Sequence, residues 1–179
     1  MLVALALAVG VIALLSGGLA GGRDDPGVAI KPGVGPGTAY RNLGARHLSP
    51  GQSHPAYDSD PPTSGPHVPS PVTTNNAVLT DDQLLSALEV GDVVYMYSTP
   101  KPPGGLQTVA DSVAPRFSTL LAAHGQTVIL ARRPGLSTIT ALAWTHILRS
   151  NNAGQLRAFA QFWLGKGAGT RVQTIVGNN

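Results

Sequence analysis

Large apolar residues divide the chain into three zones. Residues 1–20 carry no charged side chain and are filled by Leu, Val, Ile and Ala, broken only by Gly10, Ser16, Gly17 and Gly18. As a helix rising about 1.5 Å per residue, such a run matches a bilayer core of about 30 Å. From 26 to 76 the pattern has no helical or strand period, because Pro, Gly, Ser, Thr and Asp interrupt it throughout. From 77 to 164 regular spacing takes over, and the elements of a folded core can be read from it.

In that last zone, Thr80 is followed by Asp81 and Asp82 and then by Leu84, Leu85 and Leu88. A hydroxyl cap and first-turn carboxylates predict a short helix over 81–88. The β-branched and aromatic run 92–98 after Gly91 predicts a buried strand. Leu106, Val109, Ala110, Val113, Phe117, Leu120 and Leu121 recur at intervals of three and four, which predicts one amphipathic helix over 106–124, kinked at Pro115 and closed by Gly125. Strands over 126–130 and 137–144, joined by the turn 132–135, read as an antiparallel hairpin. Leu156, Phe159, Ala160 and Trp163 place a last helix over 152–164. The expected fold is α+β, a small antiparallel or mixed sheet packed by two to three helices and preceded by a Pro/Ser-rich irregular lobe.

Three segments follow from this organisation: an apolar transmembrane anchor or signal peptide over 1–22, a Pro/Gly-rich linker over 23–39 and a single domain over 40–179. Length favours a retained anchor, whereas Gly18, Leu19 and Ala20 offer the small residues of a cleavage site. The missing basic residues before the apolar run suggest a true start upstream of Met1. Either way the domain is expected on the extracytoplasmic side of a bacterial cell membrane, or secreted if the segment is cleaved. The chain has no cysteine, which removes disulfides, thiolate metal sites and thiol nucleophiles together. A net charge of +3 is spread over scattered arginines without a basic and aromatic stripe, so nucleic acid is excluded as a partner. The membrane and another envelope protein are the partners that remain.

Without cysteine, imidazole is the natural ligand for copper or zinc, and His47, His54 and His67 all lie in the irregular lobe. They are the candidate metal ligands, with Asp58, Asp60, Met96 or His146 able to complete a site. A structural role, hydrogen bonding to turn-rich backbone, is the alternative for each. Ser64, His67 and Glu89 would form a hydrolase-like constellation, although the strand-to-helix elbow of a nucleophilic serine is absent. No catalytic residue and no certain cofactor is assigned. Glu89 sits between Leu88 and Val90, where burial could raise its pKa, or where it could serve as a cap or salt-bridge partner.

Four segments carry a family resemblance: Arg46-His47-Leu48, the run from Tyr57 to His67 containing Pro-Pro-Thr-Ser-Gly-Pro-His, the patch from Leu84 to Tyr97, and Ala141 to Trp144. Together they resemble a bacterial family known as domain of unknown function 3105, over roughly 45–164. The resemblance implies an envelope protein with an N-terminal anchor or signal and brings no agreed activity. It also implies histidines at two positions of the central patch, where this chain has Ser86 and Val90. If the family's histidines bind a metal, this chain keeps His47 and His67. The expectation is therefore a membrane-anchored binding or accessory protein, with copper or zinc binding through loop histidines as the alternative and a hydrolase as the weakest reading.

Overall fold

The computed structural model describes residues 35–169. The apolar segment 1–22 lies outside them, and among the described residues no helix is long and apolar enough to cross a membrane. In chain order the elements are β1 (Thr38–Ala39), β2 (Ala77–Val78), α1 (Asp81–Val90), β3 (Val93–Tyr97), α2 (Leu106–Asp111), α3 (Thr119–Ala122), β4 (Val128–Arg132), β5 (Thr140–Ala143), β6 (His146–Arg149) and α4 (Ala153–Trp163). The strands form one six-stranded sheet in the order β1-β6-β5-β3-β4-β2. β4 runs parallel to both β2 and β3, and the other pairings are antiparallel, so the fold is α+β on a mixed sheet.

β3 is buried along its whole length because both faces of the sheet are covered. Side chains alternate across a strand. Val93, Tyr95 and Tyr97 therefore meet Leu106, Val109, Leu156 and Phe159 from α2 and α4 on one face, while Val94 and Met96 meet Leu84, Leu85 and Leu88 from α1 on the other. Each of those three leucines is fully buried, a burial that stabilises by about 1.5–3 kcal/mol per side chain. The start of α1 is a complete capping box, with Thr80 Oγ1 accepting the Gln83 N–H and the Gln83 side chain accepting the Thr80 N–H. Its end is Gly91, in the left-handed conformation.

Three expectations need correction. The single helix over 106–124 is two short ones, because Pro115 has no N–H to donate and its ring opposes the carbonyl of residue 111. Helix restarts only at Thr119, where Ser118 Oγ caps the Leu121 N–H. The hairpin of 126–130 with 137–144 does not form, since β3 lies between β4 and β5 in the sheet. β4 instead pairs in parallel with β3, with α2 and α3 forming the crossover that parallel strands require. The real hairpin is β5 with β6, turning at Trp144 and Thr145, and Thr145 takes a positive φ of 64°. Among the described residues four helices form rather than two to three.

The irregular lobe is fastened to this frame at named points. Thr63 O accepts the Thr145 N–H, so the lobe grips the β5–β6 turn. Asp82 Oδ1 and Ser86 Oγ accept the N–H groups of Val68 and Ser70, seating the lobe on α1. Arg133 pairs with both Asp60 and Asp81. Within the described part of the Pro/Gly-rich stretch, Trp163 Nε1–H donates to Pro36 O and β1 pairs with β6, so 35–39 is integral to the domain's packing.

Candidate functional site

Two strands of irregular backbone run side by side in the lobe. The Gly65 N–H donates to Gly44 O, the His67 N–H to Arg46 O and the Leu48 N–H to His67 O, forming a parallel bridge between His47 and His67. The Thr-Ser-Gly-Pro-His run makes this pairing possible. Ser64 Oγ accepts the Leu43 N–H and donates to Arg41 O, and Tyr57 Oη donates to Pro66 O. Gly65 has φ +134°, and a Cβ there would fall 2.8 Å from the Tyr57 ring, so glycine is required by both conformation and space. The two imidazoles leave this paired backbone with ring centroids 5.5 Å apart and nearly perpendicular.

Glu89 meets them from the last turn of α1. Its Oε2 lies 3.0 Å from His47 Nε2 and 3.1 Å from His67 Nε2, and its Oε1 lies 3.2 Å from His47 Nε2. Ligand atoms of His47, His67 and Glu89 all fall within 4.8 Å of one another. The His67 side chain is wholly buried, Glu89 is 24% exposed and His47 is 54% exposed, so the cluster is closed on one side and open on the other.

The hydrogen bonding of His67 determines the character of the site. Its Nδ1 lies 3.0 Å from Gly65 O, a group that can only accept, so Nδ1 carries a proton. With Nε2 unprotonated, a lone pair there would face Glu89 Oε2 at 3.1 Å, and the two atoms form no well-aligned hydrogen bond. Two lone pairs at that separation repel unless a cation lies between them, either a proton or a metal ion. A ring fixed through Nδ1 by a backbone carbonyl, with Nε2 turned to the site, is the usual support of a metal-binding histidine.

Backbone from two other segments immobilises Glu89. The Ala168 N–H donates to Glu89 O at 2.9 Å, and the Gly165 N–H donates to Gly91 O at 2.8 Å. A Cβ on Gly167 would fall 1.9 Å from Glu89 O, and one on Gly125 would fall 2.1 Å from Val90 O. Only glycine permits so close an approach, so the end of α1 is clasped from both sides.

A cavity of about 480 Å³ opens beside the cluster, with His47 and Glu89 in its wall. Pro71 and Val72 of the lobe, Ala87 and Val90 of α1, and Ala122 of α3 supply much of its surface. Ser86 and Val90, where the resemblance implies histidine, line it too. Ser86 lies one helical turn before both Glu89 and Val90, at i,i+3 and i,i+4, so it neighbours each of them on the helix surface. Asp92 also borders the cavity. Asp92 is 1% exposed, its Oδ1 accepts the Thr127 N–H, and burial pushes its carboxyl up to about 7.

Of the sequence candidates, His47 and His67 are brought together and His54 is not. His54 is exposed and stacks on Tyr57 at 4.6 Å. Asp58 accepts the Arg41 N–H, Asp60 pairs with Arg133, Met96 is buried in the core and His146 stacks on Trp163 at 3.9 Å. Ser64 directs its hydroxyl proton to Arg41 O, so His67 and Glu89 converge without that nucleophile. Glu89 as a ligand partner was not read from the sequence. Its one signal was a lone carboxylate in the apolar end of an otherwise capped helix. Asp92 gave no signal beyond its place at the start of a strand.

No match was found among curated proteins or among solved structures. A family model described as "Protein of unknown function (DUF3105)" matches residues 47–169, a span that begins at His47 and contains His67, Glu89 and the cavity wall. The chain belongs to the DUF3105 family.

Proposed function

We propose that this domain is an extracytoplasmic metal-binding protein that holds one divalent copper or zinc ion through His47 Nε2, His67 Nε2 and the Glu89 carboxylate. The single observation that carries the reading is the convergence of buried His67 Nε2 and of His47 Nε2 on one oxygen of Glu89, all within 4.8 Å of one another. Ligand bonds of about 2.0–2.1 Å in a tetrahedral arrangement separate donor atoms by about 3.3 Å. The spacings of Glu89 Oε2 from the two imidazole nitrogens, 3.0 and 3.1 Å, are close to that value, and all three residues' ligand atoms lie within 4.8 Å of one another. Two imidazoles and a carboxylate suit zinc or copper and leave coordination positions open. The charge-free segment 1–20 and the absence of cysteine support the extracytoplasmic setting, with the apolar segment as the membrane attachment.

Elemental mass spectrometry of the full chain, produced without a histidine tag, incubated separately with copper and zinc and then desalted, tests this. About one equivalent retained, lost in His67→Ala and Glu89→Gln and kept in His54→Ala, is the expected result. No retention by the wild-type chain refutes it. The triad would then be a proton-shared ion pair fastening the lobe to α1, in an accessory domain whose ligand is another envelope protein.

A further inference from the structure

We infer that the cavity beside His47 and Glu89 is the ligand chamber of the metal site, and that it takes a small, uncharged, largely apolar molecule presenting one lone-pair donor to the ion. The inference deepens the metal reading and rests on it. Its volume of about 480 Å³ falls in the range of about 300–1,000 Å³ usual for small-molecule sites. His47 and Glu89 belong both to the cluster and to the chamber wall, so a position left open on the ion and directed away from buried His67 faces this space.

The chemistry of the wall selects the ligand class. Pro71 and Val72 of the lobe oppose Ala87 and Val90 of α1 and Ala122 and Ala123 at the end of α3. Among the described residues no lysine or arginine lines the chamber, and its carboxyl residues, Glu89 and Asp92, repel anions when ionised. A phosphate or carboxylate ligand would have only the ion to neutralise it, whereas an apolar body gains from every wall. Ser70, Ser86 and Thr73 are polar without charge, and the Ser86 hydroxyl is already engaged by the Ser70 N–H. The ion and a few uncharged hydroxyl groups are therefore the polar contacts open to an occupant, which needs one donor atom for the ion and an otherwise largely apolar body.

The test uses the full chain loaded with cobalt(II), whose visible spectrum reports each change of coordination. Imidazole and 4-phenylimidazole are titrated as probes, since they share the donor atom and differ by an apolar ring. Burying that ring gives 4-phenylimidazole an affinity at least about tenfold higher. Thr119→Trp, a change at an exposed residue of the chamber wall, removes the preference. The variant's cobalt spectrum before azole addition establishes that its site has formed. Equal affinities for the two azoles on a cobalt-loaded wild type overturn the chamber while leaving the metal site intact. Failure to bind cobalt, copper or zinc at all refutes the metal reading, and the chamber with it.

Discussion

Asp92→Asn isolates a buried charge term that can be predicted in sign and size. Asp92 Oδ1 accepts the Thr127 N–H, an acceptor that asparagine retains, so the exchange alters protonation with little change in shape. Burial raises the carboxyl from an ordinary 3.8 to about 7. Between those pH values the folded chain keeps a proton that the unfolded chain has released, so stability falls as pH rises through the window. The slope is about 1.4 kcal/mol per pH unit, and over an interval of roughly three units the loss reaches at most about 4 kcal/mol, flat below the window and above it. Against a total stability of about 5–15 kcal/mol this is a large fraction. Urea unfolding followed by the fluorescence of buried Trp144 and Trp163, from pH 4 to 8 with a chelator present, gives the free energy for wild type and variant. Taking the difference between them cancels the other titrating groups. Its expected course is a progressive loss of the wild type's relative stability up to about pH 7. A difference that stays constant, or that grows in the wild type's favour with pH, refutes the reasoning.

Other perturbations test the frame around the site. In Gly167→Ala the new Cβ would fall 1.9 Å from Glu89 O, so one of the two segments must move. Overpacking of this kind costs about 1–3 kcal/mol, to be seen as a lower urea midpoint together with weaker metal retention. Val90→His places an imidazole at a 43% exposed position of the cavity wall, one residue from Glu89. An additional ligand there should tighten metal binding, read by competition with a chelating dye, and unchanged or weaker binding counts against the placement of the ion. Tyr95→Phe removes the hydroxyl that donates to Leu156 O at 2.7 Å inside the core. Leu156 O keeps its helical partner inside α4, so a loss of about 0.5–1.5 kcal/mol, that of one net hydrogen bond, is expected in thermal unfolding.

The parts of the fold that were legible in the sequence are those governed by local chemistry. Thr80, Asp81 and Asp82 announce α1, and Thr80 forms its cap as read. The β-branched run gives β3, and the spacing of Leu156, Phe159, Ala160 and Trp163 gives the buried face of α4. The misread parts depend on competition or distance. Apolar spacing continues through Pro115, so periodicity alone cannot show that the proline prevails over it. β6 was missed because its hairpin turns at Trp144 and Thr145, residues without a turn signature, where the grip of Thr63 on the Thr145 N–H helps hold the positive φ. Likewise, the site's histidines were visible by type, since His47 and His67 stood in a cysteine-free lobe. Their pairing with each other and with Glu89 spans up to 42 residues and depends on backbone bridges that no local pattern encodes. His54 has the same residue type as its neighbours in the lobe, and only the fold separates it from them.

X-ray absorption at the zinc edge of the zinc-loaded full chain tests the central claim most directly. The account predicts a first shell of nitrogen and oxygen at about 2.0–2.1 Å, with outer-shell scattering from two imidazoles that is kept in His54→Ala. A zinc-loaded chain without imidazole scattering, or one whose imidazole scattering falls in His54→Ala, would contradict it.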